Sequence, residues 1–197
     1  MRVVVTGTDT GVGKTYVCAA LATPQSAYVK AAQTGDDDDA ATVHARSGAE
    51  VHTLARYPEP LAPATAAARA GLPAITPREI ADFVDGLPHD HVIVEGAGGL
   101  LVPFGGGTIA DVAELLDAPL IVVVRAGLGT LNHTALTVEA IERRGLTCQG
   151  IVIGCWPREP DLACLTNLED LERIAPVLGR LPEGSTNWGP VEEFRHT

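Results

Sequence analysis

A glycine-rich segment between a short hydrophobic strand and a helix constrains the fold of this 197-residue chain more than any other feature. Residues 7–15 read GTDTGVGKT and follow the valine run at residues 3–5. Such a loop presents successive backbone N–H groups at a helix N-terminus, where they bind phosphate. Glycine stands at position 7, although the standard spacing places it at position 8. We therefore expect a nine-residue variant of the phosphate-binding loop, or P-loop.

Runs of valine, isoleucine and leucine alternate along the chain with helical stretches, and this alternation indicates the fold. The nearly continuous apolar strands are typical of strands that are covered on both faces. The pattern predicts an α/β single-domain P-loop NTPase fold over residues 1–197, with a mostly parallel central sheet and helices on both faces. Strands are predicted at residues 3–7, 27–31, 91–95, 120–125, 148–153 and 177–181. Helices are predicted at residues 14–22, 40–47, 62–70, 77–87, 109–116, 131–144 and 168–175, with Asn167 as a possible cap of the last one.

The unusual residues of the chain follow its predicted strands. Ligands of parallel sheets gather at the carboxyl ends of the strands, so these residues are expected at one edge. They are the glycine loop after the first strand, Lys30 after the second, Glu95 and the glycines at 96, 98 and 99 after the third, residues 127–133 after the fourth, and Gly154 with Cys155 after the fifth.

Lysine occurs at only two positions, Lys14 and Lys30, and the other basic residues are arginines. A lysine ammonium is a compact point charge that suits a single phosphate oxygen. Lys14 would reach the β- and γ-phosphates of a nucleotide, and the Thr15 hydroxyl would hold Mg²⁺. Glu95 is expected to be a second metal-holding group. The acidic run at residues 36–39 is either a solvated turn or supplies a carboxylate to Mg²⁺ or to an amine substrate.

The net charge of −11 argues against partners that are themselves anionic. Nucleic-acid-binding proteins normally show a basic footprint, and anionic membrane surfaces attract basic segments, so neither partner is expected. No apolar run approaches the roughly 18 residues of a membrane span. The chain enters a strand at once, which leaves no room for a secretion signal, and a cytoplasmic location is expected. The four cysteines form no Cys-x-x-Cys pair and are expected to be reduced thiols.

Two further segments allow more than one interpretation. Residues 130–133 begin a predicted helix, whose exposed N–H groups either bind a carboxylate or are capped in the ordinary way. Residues 184–197 carry weak signals, and the sequence leaves their order open.

Four segments together resemble the dethiobiotin synthetase family. They are TGTDTGVGKT at residues 6–15, Lys30 followed by QTG at 33–35, EGAGG at 95–99 and LGTLNH at 128–133, in the family's order over nearly the whole chain. The segments RYP at 56–58 and LAP at 61–63 also match. The resemblance implies closure of the ureido ring of dethiobiotin from 7,8-diaminononanoate, CO₂ and ATP. A substrate amine would trap CO₂ as a carbamate, the carbamate would take the γ-phosphate, and the second amine would displace phosphate.

The resemblance also implies roles for individual residues. Catalysis falls to Lys14, Lys30 and Thr10, and Mg²⁺ to Thr15, Asp39 and Glu95, with residues 37 and 38 as alternatives to Asp39. The substrate is bound by Lys30, Thr34 and, from the second subunit of a homodimer, by Gly129, Thr130, Leu131 and Asn132. The nucleotide ATP is bound by Gly11, Val12, Gly13, Lys14, Thr15, Tyr16, Asp39, Glu95, Gly96, Ala97 and Gly98, and its base is bordered by Gly154, Cys155, Leu181, Pro182 and Glu183.

The chain departs from the family pattern in several ways. The stretch from Lys14 to Lys30 is short, and so is the loop from residue 35 to residue 39. Ala31 follows Lys30 where the family usually has proline, and the segment at 154–156 lacks the asparagine that often contacts adenine. The preference between ATP, CTP and other nucleotides stays open. The alternative functions are another amide- or ring-forming ATPase and a non-enzymatic ATP switch of the partitioning type. Switch ATPases have a second lysine five residues before the loop lysine, and here that residue is Asp9.

Overall fold

The computed structural model describes residues 1–184, which form a seven-stranded parallel sheet with helices on both faces. The sheet order is 4-2-6-1-7-8-9 in strand numbers, and strands 3 and 5 form a small separate sheet. The strands are β1 Arg2–Gly7, β2 Ala27–Lys30, β3 Gln33–Thr34, β4 Glu50–Thr53, β5 Arg56–Tyr57, β6 Val92–Gly99, β7 Leu120–Val124, β8 Cys148–Trp156 and β9 Val177–Pro182. The helices are α1 Lys14–Leu21, α2 Asp39–Ser47, α3 Pro63–Ala70, α4 Pro77–Asp85, α5 Ile109–Leu115, α6 Thr130–Arg143 and α7 Leu162–Glu172.

The central strand β1 divides two hydrophobic cores. Successive side chains of a strand point to opposite faces, so Val4 and Val5 enter different cores although both are fully buried. Val5 packs with Val17 of α1 and Val43 of α2. Val4 belongs to the larger core, to which α3–α7 contribute. Coverage on both faces explains why β1 and β7 read as continuous apolar runs.

The structure confirms the predicted fold class and most predicted elements, with ends that differ by a few residues. The last helix was predicted wrongly, because it begins at Leu162 and not at residue 168. Its N-cap is Asp161, whose side chain accepts a hydrogen bond from the backbone N–H of Cys164. Asn167, proposed as a cap, lies buried inside this helix. Strands β3, β4 and β5 were not predicted, because they are short and consist mainly of polar residues.

No helix within residues 1–184 combines the length and apolar character that crossing a lipid bilayer requires. Residues 185–197 lie outside the part of the chain that the structure describes, and so does nearly all of the segment 184–197 whose order the sequence left open.

The carboxyl end of β8 packs directly against the P-loop. A Cβ atom added to Gly154 would lie 2.0 Å from the carbonyl oxygen of Val12, and one added to Gly13 would lie 2.6 Å from the carbonyl oxygen of Gly154. Gly13 also has a left-handed φ of 99° as the N-cap of α1. The two backbones therefore approach closely because both positions lack a side chain.

We predict that Gly154→Ala shifts the P-loop and weakens nucleotide binding. The added methyl group overpacks a backbone contact, which costs about 1–3 kcal/mol in the free energy of unfolding. Gly127→Ala is the matched control, because a Cβ atom at Gly127 meets nothing within 4 Å. Denaturant unfolding and calorimetric titration with ADP would measure both effects, and wild-type ADP affinity in Gly154→Ala would contradict the prediction.

Candidate active site

A cavity of about 630 Å³ lies beside the P-loop and brings together many residues that the sequence singled out. Its walls come from the P-loop, the end of β2, the β3–α2 segment, β6 and the loop at residues 60–63. The predicted site residues that line it are Thr10, Gly11, Gly13, Lys14, Thr15, Tyr16, Lys30, Thr34, Asp39, Glu95, Ala97 and Gly98.

The P-loop ends at the start of α1, whose N-cap is Gly13, a residue without a side chain that could cap the helix. The first N–H groups of a helix have no partners within the helix, and they attract anions together with the helix dipole. Lys14 follows directly, is only 7% exposed, and donates from Nζ to the carbonyl oxygen of Asp9 at 3.0 Å. Burial lowers the pKa of Lys14, although Glu95 opposes this effect. This end of the cavity therefore combines orphan N–H groups with a largely desolvated ammonium group.

Lys30 lies between two carboxylates at the inner end of the cavity. Its Nζ donates to Glu95 Oε1 at 2.7 Å and also contacts Asp39 Oδ2. The parallel register of β2 and β6 sets Lys30 directly opposite Glu95. Burial alone would lower the pKa of Lys30, but Glu95 and Asp39 outweigh it and raise the pKa above its usual range. Lys30 is therefore a charged ammonium group in a nearly dry site.

Glu95 is fully buried, and its two oxygens have different partners. Oε1 accepts from Lys30 and, at 3.2 Å, from the Thr15 hydroxyl. Oε2 accepts from the Tyr28 hydroxyl at 2.8 Å. A buried carboxylate is costly unless it is paired and hydrogen-bonded, and these contacts meet that requirement.

The structure distinguishes the aspartates of the acidic run. Asp38 caps α2 through the backbone N–H of Ala41 and pairs with Arg56 at 3.0 Å. Asp39 instead points to Lys30, and its backbone N–H donates to Gln33 Oε1 at 3.2 Å. Asp39 is therefore the aspartate whose carboxylate meets the Lys30–Glu95 pair, while Asp37 and Asp38 line the same cavity further out.

Several predicted residues lie outside the lining of this cavity. The side chain of Val12 is buried in the core around α1, and Gly96 packs against Ile109. The start of α6 is also elsewhere: Thr130 is buried, Leu131 is half-buried, and Asn132 and Gly129 are exposed.

The residues predicted to border the base lie at the ends of β8 and β9. Glu183 donates from its backbone N–H to Trp156 O at 2.7 Å, which joins these two strand ends. Cys155 is exposed, unlike the buried Cys18 and Cys164. The other predicted residues here are Gly154, Leu181 and Pro182, and Leu181 is buried against the core around α1.

Sequence reasoning missed four side chains that support the site. Tyr28 bonds Glu95, and Gln33 receives the N–H of Asp39. Arg125 donates to Asp9 Oδ2 at 3.0 Å and to Thr10 O at 3.1 Å, which braces the P-loop. Asn167 Nδ2 donates to Ala126 O and Gly127 O at 2.9 and 3.0 Å, and so supports the loop before α6. Tyr28 could have been recognised from the sequence, because it is a polar residue in an otherwise aliphatic strand and stands two residues before Lys30.

Comparison with known proteins agrees with this geometry. A family model described as an AAA domain matches residues 1–186. The ATP-dependent dethiobiotin synthetase BioD of Saccharopolyspora erythraea is 55% identical over 92% of this chain and 87% of its own length. The chain belongs to the dethiobiotin synthetase family. The protein of the same name from Rhodococcus erythropolis is 49% identical over 98% of this chain and 92% of its own length.

Solved structures support the fold but share little sequence. A ParA family ATPase from Chlorobium tepidum superposes with a TM-score of 0.59 at 15% identity, covering 93% of this chain and 85% of its own. The septum site-determining protein MinD from Pyrococcus horikoshii, complexed with Mg-ADP, gives 0.54 at 17% identity, covering 92% and 80%. These likenesses confirm the P-loop ATPase fold of the dethiobiotin synthetase family member described here.

We predict that Lys30→Ala lowers turnover by orders of magnitude, because the ammonium group that faces the cavity is lost. The free energy of unfolding should also fall by about 3–5 kcal/mol, since Glu95 and Asp39 lose the cation between them. Lys30→Met separates charge from packing, because it keeps most of the aliphatic stem. Steady-state kinetics and denaturant unfolding test both variants. Near-normal turnover in Lys30→Met would contradict the prediction, because it would show that the reaction does not need the charge of Lys30.

Proposed function

We propose that the chain is an ATP-dependent dethiobiotin synthetase, a ligase that forms C–N bonds in biotin biosynthesis. It closes the ureido ring of dethiobiotin from 7,8-diaminononanoate, CO₂ and ATP. The observation that carries this conclusion is the buried Lys30 ammonium, held by Asp39 and Glu95 in the same cavity as the P-loop. Homologues at about 50% identity over most of their length bear this activity in their names.

The reaction requires two amines, one carboxyl carbon and one phosphoryl group to meet. One amine adds to CO₂ and loses a proton, which gives a carbamate. The carbamate oxygen attacks the γ-phosphorus and ADP leaves, which gives a carbamic–phosphoric anhydride. The second amine attacks the carbonyl carbon, loses a proton and expels phosphate. Little covalent work falls to the protein, so catalysis is positioning and charge neutralisation.

The residues of the cavity suit these tasks. The N–H groups of the P-loop and Lys14 would hold the β- and γ-phosphates, with Thr10 and Tyr16 beside them. Lys30 would neutralise the carbamate and the transferred phosphoryl group, since both carry negative charge. Thr34 would hydrogen-bond the diamine or its carbamate. This assignment is supported by the common cavity that these side chains line.

The residues next to Lys30 also fit Mg²⁺. The Thr15 hydroxyl and the carboxylates of Asp39 and Glu95 are hard oxygen donors, and the Lys30 ammonium between the carboxylates indicates that the place favours a cation. Within residues 1–184 no group of three or more Asp, Glu, His or Cys side chains forms a metal cage. Mg²⁺ needs none, because it usually takes one or two carboxylates and completes its shell with water and phosphate oxygens. When bound by Thr15, Asp39 and Glu95, it would neutralise the charge of the β- and γ-phosphates.

We further propose a homodimer in which the start of α6 completes the cavity of the other chain. Gly129, Thr130, Leu131 and Asn132 do not line the cavity of their own chain. Leu128, directly before them, is 93% exposed, and Leu136 on α6 is 58% exposed. Helix N–H groups there would bind the carboxylate tail of the substrate.

Because the reaction requires ATP, we also propose a cytoplasmic location. We propose a single domain, because all described helices and strands belong to the same stack of layers.

We predict that Leu128→Asp disrupts the dimer and raises the KM for 7,8-diaminononanoate, because it places a charge on an apolar contact. Light scattering should shift from the mass of two chains to that of one, and ADP binding should persist. Leu72→Asp is the matched control, since Leu72 is 46% exposed between α3 and α4. A wild type that is already monomeric at assay concentration would overturn the proposed dimer.

The function itself is tested by ADP release with and without 7,8-diaminononanoate, in bicarbonate and Mg-ATP, with mass analysis of the product. We expect release that depends on the diamine and a product of dethiobiotin's mass. Release that ignores the diamine would overturn the synthetase and favour an ATP switch. Parallel assays with CTP and other triphosphates would define the nucleotide preference.

A further inference from the structure

A tyrosine that family resemblance did not assign to the site touches its central carboxylate. Tyr28 is fully buried, and its hydroxyl donates to Glu95 Oε2 at 2.8 Å. It is the polar exception in the first three residues of β2, since Ala27 and Val29 are aliphatic. A buried hydroxyl is normally hydrogen-bonded, so the contact satisfies Tyr28 as well as Glu95.

The register of the sheet explains how Tyr28 reaches Glu95. In the parallel pair β2–β6, Tyr28 lies opposite Ile93, and Lys30 lies opposite Glu95. Side chains two residues apart share a face, so Tyr28 and Lys30 point to the same side of β2. The Tyr28 phenol and the Lys30 ammonium therefore reach Glu95 from the same side of β2, and they contact different oxygens of its carboxylate.

This arrangement divides the two oxygens of the carboxylate between interior and cavity. Tyr28 donates to Oε2 on the interior side, where the buried Cys18 thiol also bonds the carboxylate, and Oε1 accepts from Lys30 and Thr15, which line the cavity. Without the phenol, the buried Oε2 would lose the hydroxyl that donates to it at 2.8 Å, and the weak thiol donor of Cys18 would not replace that bond in full. The carboxylate would then turn to share both oxygens with Lys30, and both groups would leave their present directions.

We propose that Tyr28 is a positioning residue that acts through Glu95. Its hydroxyl keeps Oε1 directed at the cavity, where it meets either the Lys30 ammonium or a divalent cation. Groups that orient a metal-binding carboxylate in this way tune the affinity for the metal. The inference rests on the proposed Mg²⁺ role of Glu95, but it does not depend on the identity of the organic substrate.

The experiment compares Tyr28→Phe, which removes only the hydroxyl, with Tyr57→Phe. Tyr57 is the matched control because it is also buried, and its hydroxyl donates to Pro73 O at 3.0 Å and accepts from Ile75 N–H at 2.9 Å, away from Glu95. Calorimetric titration of Mg²⁺ into each protein with saturating ADP gives the dissociation constant. We expect a rise of roughly tenfold in Tyr28→Phe and no change in Tyr57→Phe. Equal constants in Tyr28→Phe and wild type would overturn the proposal.

Glu95→Gln separates positioning from a general loss of stability. If Tyr28 acts through Glu95, adding Tyr28→Phe to Glu95→Gln should not weaken Mg²⁺ binding further, so the two effects are non-additive. Full additivity would overturn the proposal. In turnover assays, Tyr28→Phe should lower kcat and leave the KM for the diamine within a factor of about two, because the hydroxyl contacts no substrate.

A measurement on the wild-type chain avoids any dependence on how well the variants fold. The chain has three tyrosines, which labelling with ¹³C at the ring carbon bearing the hydroxyl resolves by NMR. Adding Mg²⁺ to the ADP complex should move the Tyr28 signal, because its hydrogen-bond partner Glu95 then binds the metal ion in addition to, or in place of, Lys30. The Tyr57 signal should stay in place. An unmoved Tyr28 signal under saturating Mg²⁺ would overturn the proposal. A failure of the diamine assay alone would instead remove the proposed synthetase activity and leave this result standing.

Discussion

The organisation of this site depends on one interaction, the ion pairing of the buried Lys30 ammonium with the carboxylates of Asp39 and Glu95. Lys30 and Glu95 are almost completely buried, and a buried charge is costly unless it is paired and hydrogen-bonded. Together the three charged groups hold the end of β2, the start of α2 and the middle of β6 at one point. Such a cluster is weak evidence for stability, since replacing a buried ion pair with apolar groups is often neutral. The place of the cluster in the wall of the cavity relates it to the chemistry of the site and not to stability alone.

Around this cluster, the site is built from backbone and side chains with different tasks. The P-loop offers N–H groups and dipole at the start of α1, and its path depends on the close approach of Gly154 to Val12 and Gly13. Two further side chains support the carboxylates: Tyr28, behind the cavity, bonds Glu95, and Gln33, which lines the cavity, accepts from the backbone N–H of Asp39. Support of this kind limits the directions in which the reacting groups point, which is what a reaction that relies on positioning requires.

Much of the fold and part of the site were predictable from the sequence, for a local physical reason. Strands that are covered on both faces appear in the sequence as apolar runs, and helices appear as segments with a helical spacing of apolar residues. The P-loop and Lys30 directly follow strands that this pattern predicts. The errors concern elements with weak local signals. Strand β4, with the sequence EVHT, pairs only because β2 offers an open edge. Asn167 was proposed as a cap from the sequence, but its side chain donates to Ala126 O and Gly127 O, which lie 41 and 40 residues away along the chain.

The parallel α/β sheet and the P-loop could be predicted from the residues alone, and four ordered segments indicated the dethiobiotin synthetase family. These properties depend on short-range patterns of residue type, which one strand or one loop carries. Three features became visible only in the folded chain: Asp39 faces Lys30 while Asp38 caps α2, Tyr28 bonds Glu95, and the start of α6 lies outside the cavity of its own chain. The physical reason is that strand register and helix packing bring together residues far apart in sequence, and no local pattern specifies which of several equivalent carboxylates or hydroxyls will meet.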